Sequence, residues 1–279
     1  MLAPFLIMLR EGLEAALVVG IIATYLKQTG RGAWIGAIWV GVLLAVALSL
    51  FVGAGLQLLH AGFPQKAQEG FEAGVALIAV GVLLWMVFWM RKAARTIKGE
   101  LQRSVDAAFA TPGRAAVWAL IGAAFFAVAR EGLESMFFLL AIFQQSPGPA
   151  APIGALAGVA VSLVLGVAIY AGGVRLDLRR FFRLTGIFIL FVAAGLFASA
   201  LRSLHEAGLW NHLQAPAWDL SQVLPTSSVV GTVLSALFGY HESPAVGEVI
   251  AWALLVAVTL FFFLRPATAP RATIPAQEA

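Results

Sequence analysis

Two five-residue stretches hold the residues most able to do chemistry in this chain. Arg10-Glu11-Gly12-Leu13-Glu14 and Arg130-Glu131-Gly132-Leu133-Glu134 are identical letter for letter, and each lies inside a long apolar run. On a helix, Arg10 and Glu14 are four apart and can pair, while Glu11 and Glu14 are three apart and share a face. The same holds for Arg130, Glu131 and Glu134. Together the two copies supply four carboxylates against two guanidinium groups, an excess of two negative charges. Two facing helices that present four carboxylates form an all-oxygen cage for a hard cation. Ferric iron, calcium, magnesium and manganese all suit such a cage, and the spacing does not choose among them. Gly12 and Gly132 let helix backbones approach closely, as small residues do at membrane interfaces.

The elements that position these motifs follow from hydropathy. The chain has 279 residues, 61% hydrophobic and only 11% charged, where a soluble domain carries about 25% charged residues. Seven stretches are long enough to cross a bilayer core, roughly 2–26, 33–59, 68–90, 115–143, 152–174, 182–205 and 247–264. The fold class expected is therefore all-α, a polytopic membrane protein of seven transmembrane helices. The N-terminal run lacks a basic leader and contains Arg10, Glu11 and Glu14, so it reads as a retained first span rather than a cleaved signal.

A charged residue at a helix centre costs about 2.5–3.5 kcal/mol for insertion, and an apolar one returns only about 0.3–0.6 kcal/mol. Three charges in one span bring it close to break-even unless they are paired with one another or with a neighbouring helix.

Orientation follows from the basic residues. Lys27 and Arg31 follow span one. Arg91, Lys92, Arg95, Lys98, Arg103 and Arg114 follow span three. Arg175, Arg179, Arg180 and Arg183 follow span five, and Arg265 and Arg271 lie in the tail. These 14 fall on one side and Lys66 alone on the other, which puts the N-terminus outside and the C-terminus in the cytoplasm. The motifs then sit in spans one and four, which run in opposite directions, both within about 6 Å of the membrane middle. That arrangement predicts two inverted three-helix repeats, 1–90 and 115–205, whose interface is where such folds place substrate. A basic amphipathic segment, 91–114, is expected on the cytoplasmic membrane surface among anionic lipids. An outer loop, 206–246, and a seventh span, 247–264, complete a single membrane domain. Within the loop, 229–238 is too short to span and is expected to lie in the interface or re-enter.

The outer face gathers acids. Glu69 and Glu72, His205 and Glu206, and Asp219 and Glu242 are candidates for an outer site that takes a cation first. Arg202, Glu248, His60, His212 and His241 lie near the same face. Either the acids form an electrostatic funnel or they are simply free to be outside. Trp85-Met86-Val87-Phe88-Trp89-Met90 reads as an aromatic belt at the cytoplasmic end of span three. The chain has no Cys, which excludes thiolate metal sites and iron–sulfur clusters. It has no His-Glu-x-x-His, phosphate-binding loop or nucleophile elbow, so neither enzymatic turnover nor ATP use is expected. Its basic residues lie in loops between apolar runs, so nucleic acid is not an expected partner.

The paired Arg-Glu-x-x-Glu motifs in spans one and four resemble those of the oxidase-dependent iron permeases, the fungal high-affinity iron permeases and the bacterial Efe-type ferrous iron permease. The resemblance covers nearly the whole chain. It extends to Trp85–Met90 and to the outer loop, from Trp218-Asp219-Leu220-Ser221 through Leu237-Phe238-Gly239-Tyr240. It implies iron as the transported substrate, no permanently bound cofactor, and a bacterial inner-membrane location. It further implies an iron-oxidising partner at the periplasmic or extracellular face that hands over ferric iron. Glu11, Glu14, Glu131 and Glu134 would carry the ion, with Arg10 and Arg130 orienting them. The fungal proteins have acidic motifs in their outer loop, whereas here that loop holds isolated acids. From the residues alone, a proton-linked transporter or channel for another cation, such as manganese or lead, stays open.

Overall fold

The computed structural model describes residues 2–61, 64–93, 97–110, 114–145, 148–172 and 177–265. Arg95, Arg175 and Arg271 of the basic count lie outside the described residues, as do the side chains of His60, Arg91, Lys92, Lys98, Arg114 and Arg179. Among the described residues the fold is all-helical, without strands. The helices are α1 (Leu2–Gln28), α2 (Ile35–Ala61), α3 (Gln65–Ala93), α4 (Ile97–Ala110), α5 (Arg114–Gln145), α6 (Ala150–Tyr170), α7 (Leu178–Glu206), α8 (Val229–Phe238) and α9 (Val246–Leu264).

Six of them, α2, α3, α5, α6, α7 and α9, are long and apolar enough to cross a membrane. The sequence led us to expect seven. The helix that falls short is α1, which has the length, 27 residues, but carries Arg10, Glu11 and Glu14 in its middle. Its ability to cross depends on where those charges go.

The long helices pack in pairs: α1 lies along α6, α2 along α5, and α3 along α7, and α9 packs against α7. The main core joins α3, α5, α7 and the start of α1 through residues such as Ile7, Leu83, Phe138 and Leu190, all with essentially no exposed surface. A smaller core joins α1, α2, α4 and α5 through Ile22, Leu26, Ile38 and Leu120. Many large apolar side chains point outward, among them Leu43, Phe51, Phe126, Leu156 and Val164. A surface so apolar calls for lipid as its solvent.

The segment after span three forms a helix, α4, one face of which packs on protein. Val105 and Ala108 are buried against α1, α2 and α5, and Tyr25 Oη donates to both carboxylate oxygens of Asp106 at 2.8 and 2.7 Å.

The 206–246 segment is anchored at both ends. Residues 213–220 pair with 242–247 through backbone hydrogen bonds, including Ala217 N–H to the Pro244 carbonyl at 2.9 Å and Leu220 N–H to that of Glu242 at 2.8 Å. Ser228 caps α8 by accepting from Gly231 N–H at 3.0 Å, and Gly239 ends it with φ +68°. There α8 abuts α7: a methyl group on Gly195 would stand 2.7 Å from the Gly239 Cα. Gly195 lies eleven residues before the end of α7, about 16 Å along its axis, so α8 reaches well inside the helix bundle.

Candidate metal centre

The two motifs meet where α1 and α5 touch. Glu11, Glu14 and Glu131 bring carboxylate oxygens within 4.8 Å of one another, all three buried. Among the described residues no second cluster of His, Asp or Glu could hold a metal ion. Glu134 is buried beside them but is drawn toward its own arginine, with Arg130 Nε donating to Glu134 Oε1 at 3.0 Å.

Each of the four carboxylates leaves one buried oxygen without a hydrogen bond: Glu11 Oε2, Glu14 Oε1, Glu131 Oε2 and Glu134 Oε2. Buried polar atoms in folded proteins are nearly always satisfied. Four such acceptors gathered together are oxygens that a bound cation could satisfy.

The arginines hold the cage differently, although their sequences are identical. Arg10 is 1% exposed. Its Nη1 donates to Glu11 Oε1 at 3.1 Å and to Met86 Sδ at 3.0 Å. Its Nη2 lies 2.8 Å from Glu14 Oε1 as an ion pair that lacks hydrogen-bond geometry. Arg10 therefore stands inside the cage as an internal counter-ion. The Arg130 side chain is 33% exposed. Its guanidinium lies 3.9 Å from the ring centre of Trp89 and 4.8 Å from that of Trp85, which stack on each other. Such cation–π contact stabilises a charge by about 0.5–2 kcal/mol.

The expected aromatic belt of α3 is thus a partner of the site. Trp85 and Trp89, four apart, take Arg130, and Met86 on the next face takes Arg10. Helical spacing could have separated these faces, but only the packing shows what each meets.

The glycines work in register. A methyl on Gly12 would overlap Ser162 Oγ on α6 and stand 2.7 Å from its Cβ. A methyl on Gly132 would overlap Ser49 Oγ on α2 and stand 3.1 Å from its Cβ. Four residues on, Ala16 meets Gly166 and Met136 meets Gly53. Each serine returns its hydroxyl proton to its own helix: Ser162 to the Val159 carbonyl at 2.7 Å and Ser49 to the Ala45 carbonyl at 3.0 Å. Ser49 and Ser162 escaped the sequence reading. Their signal was a lone hydroxyl in matching apolar settings, Leu48-Ser49-Leu50 and Val161-Ser162-Leu163.

Two openings lie along the motif helices. A cavity of about 380 Å³ follows α1 from Ala16, two residues past Glu14, to Gln28, between α6 and Gln102 of α4. A groove of about 480 Å³ between α2, α3 and α5 has Arg130 and Glu134 on its wall among Leu48, Val82, Phe126 and Phe137.

The outer candidates are not gathered into a cluster. Glu69 and Glu72 lie half-buried in the early turns of α3. His205 Nδ1 lies 3.0 Å from both the Trp210 carbonyl and Asn211 Oδ1, and Glu206 is exposed beside it. The Ser221 side chain, and then its N–H, which donates to Asp219 Oδ1 at 3.0 Å, hold the Asp219 carboxyl below the usual range. Glu242 accepts from the Thr226 N–H at 2.7 Å and its hydroxyl at 3.1 Å, with the same effect. Glu248 is buried and pairs with Arg202 through both oxygens.

Residues 1–271 match the model of the iron permease FTR1 family. The chain is 56% identical over 272 residues to the ferrous iron permease EfeU of Escherichia coli O6:K15:H31 (strain 536 / UPEC), covering 98% of this chain and 97% of that protein. It is 56% identical to the ferrous iron permease EfeU of Shigella sonnei (strain Ss046), over the same shares. It is 53% identical over 277 residues to that of Yersinia pestis, covering 99% of this chain and 98% of the relative. No solved structure matches.

Proposed function

The chain belongs to the iron permease FTR1 family, and on that premise we propose that the carboxylates of Glu11, Glu14, Glu131 and Glu134 carry iron through it. A member of this family is a multi-pass inner-membrane transporter and not an enzyme. The observation that carries the proposed site is the convergence of three carboxylates from two helices, each with a buried oxygen that receives no hydrogen bond.

In this reading α1 is a seventh span. Its three charges are tolerated because Arg10 pairs with both Glu11 and Glu14 away from lipid. The N-terminus lies outside, and residues 1–90 and 115–205 are inverted repeats followed by an outer loop, 206–246, and the last span. The pairing of α1 with α6, α2 with α5 and α3 with α7 supports this, because exchanging the two halves maps each pair onto itself or onto another. So does the matched seating of Gly12 on Ser162 and Gly132 on Ser49. Segment 226–240 then re-enters from the outer side.

Iron is taken first by outer acids, drawn from Glu69, Glu72, His205, Glu206, Asp219 and Glu242. It then passes to the midplane carboxylates. There the cation displaces Arg10 from the cage, and the released guanidinium repels it onward when it swings back. The cavity that begins at Ala16 is the way out. An iron-oxidising partner at the outer face, handing over ferric iron, is what the family resemblance supplies; carboxylate oxygens alone serve either oxidation state.

The test is uptake of iron, manganese, calcium and lead into liposomes, by wild type, Glu11→Gln and Glu131→Gln. Wild type should move iron, and each variant should lose at least about tenfold of the rate, the effect of roughly 1.4 kcal/mol of lost stabilisation. Equal iron transport by wild type and both variants would sink the site assignment. Transport of manganese without iron would sink the substrate.

A further inference from the structure

We propose that Met86 is a ligand of the transported ion and the residue that biases the site toward ferrous iron over harder divalent cations. This rests on the reading of the Glu11–Glu14–Glu131 cluster as the transport site, and it takes the ion that reaches the cluster as ferrous rather than the ferric ion the family resemblance implies.

Met86 is 1% exposed, and its sulfur accepts from Arg10 Nη1 at 3.0 Å. That same nitrogen donates to Glu11 Oε1 at 3.1 Å. The sulfur and the carboxylate oxygen therefore flank one point, the place occupied by Nη1. A cation that displaces the guanidinium inherits both neighbours at once, with Glu14 on the adjoining nitrogen as a third.

The choice of atom is informative. A thioether is a weak acceptor, a poor partner for a buried guanidinium whose Nε already has none. An oxygen acceptor in its place would hold Arg10 more firmly. Sulfur weakens the hold on the internal counter-ion and so eases its displacement. As a ligand, sulfur is soft: it adds little to the binding of calcium, magnesium, manganese or ferric iron, and more to ferrous iron, which lies nearer the soft end. An all-oxygen cage lacks that preference.

The probes are ferrous iron kept reduced with ascorbate, ferric citrate, and manganese as competitor, in liposomes bearing wild type, Met86→Leu, Met86→Gln or Glu11→Gln. Met86→Leu keeps the side-chain volume, so the fold should persist. Met86→Gln keeps an acceptor for Arg10 but offers a carbonyl oxygen in place of sulfur. Both should lose part of the ferrous rate, and manganese should inhibit ferrous uptake at about a tenfold lower excess than in wild type, the size of effect a lost supporting group has on metal affinity. Binding of cobalt(II), a spectroscopic stand-in for ferrous iron, should give a sulfur-to-metal band in wild type and none in either variant. If both variants keep the wild-type competition profile and the wild-type cobalt spectrum, Met86 is not a ligand, whether or not the carboxylate site stands. If Glu11→Gln also transports as wild type does, it is the site itself that fails.

Discussion

Gly12 is the position at which the smallest change should disturb the centre most. Its helix α1 lies against α6 so closely that an added methyl would overlap the Ser162 hydroxyl and stand 2.7 Å from its Cβ. Ordinary carbon contacts lie at about 3.5–4.0 Å, so Gly12→Ala must part the two helices by roughly 1 Å. Overpacking of this kind costs about 1–3 kcal/mol, and Ala in place of a helical Gly returns up to about 1 kcal/mol. A net loss of about 1–2 kcal/mol remains. Because Glu11 and Glu14 flank Gly12, the same shift moves two carboxylates relative to Glu131 and loosens the 4.8 Å cluster. Gly12→Ala should therefore lower the thermal unfolding midpoint in detergent and cut iron uptake by about tenfold or more. Gly132→Ala, where the corresponding Cβ contact is 3.1 Å, should do the same more mildly. Removing the obstacle should repair the damage, so the pair Gly12→Ala, Ser162→Gly should regain most of both stability and transport. Full activity in Gly12→Ala alone would refute the close-contact reasoning. A pair that stays as impaired as the single variant would show that the loss came from elsewhere than the Ser162 contact.

Breaking the Arg202–Glu248 pair that ties α7 to α9 should destabilise the protein by about 3 kcal/mol for Arg202→Ala, since a buried carboxylate is left alone. The double variant Arg202→Met, Glu248→Leu should recover most of that in the same unfolding measurement, and a double variant no better than the single one would contradict it. The bonds from Thr226 hold the Glu242 carboxyl below its ordinary value of 4.5. Its contribution is therefore present above that value and lost as pH falls through the lowered one. Hydrogen exchange at Thr226 and Gly231 should accelerate below about pH 4.5 in wild type and be fast and pH-insensitive, after correction for intrinsic exchange, in Glu242→Gln; equal protection in both would remove Glu242 as the anchor of this segment.

The sequence by itself determined the helices and the chemistry of the site. Apolar runs of span length can bury their backbone only as helices, so the boundaries of α2, α3, α5 and α7 fell within a few residues of expectation. Two identical motifs with more acid than base, inside runs meant for lipid, pointed to paired charges and a cation before any packing was known. What the sequence could not carry was which face meets which. The five letters Arg-Glu-Gly-Leu-Glu are the same in both copies, yet Arg10 is sealed between Glu11 and Met86 while Arg130 lies half outside on Trp85 and Trp89. That difference is set by α3, which presents a thioether to one helix and two indoles to the other. Likewise, Ser49 and Ser162 are lone hydroxyls in apolar runs until α2 and α6 press them onto the motif glycines. Local sequence fixes the period of a helix and the residues on its faces, but the rotation that brings a face to a neighbour is decided by all the helices packing at once. The motifs therefore pointed to a candidate cation site from the first reading, and the packing changed it from four equivalent carboxylates to three clustered together, two of them paired with a buried arginine that has a sulfur at its side.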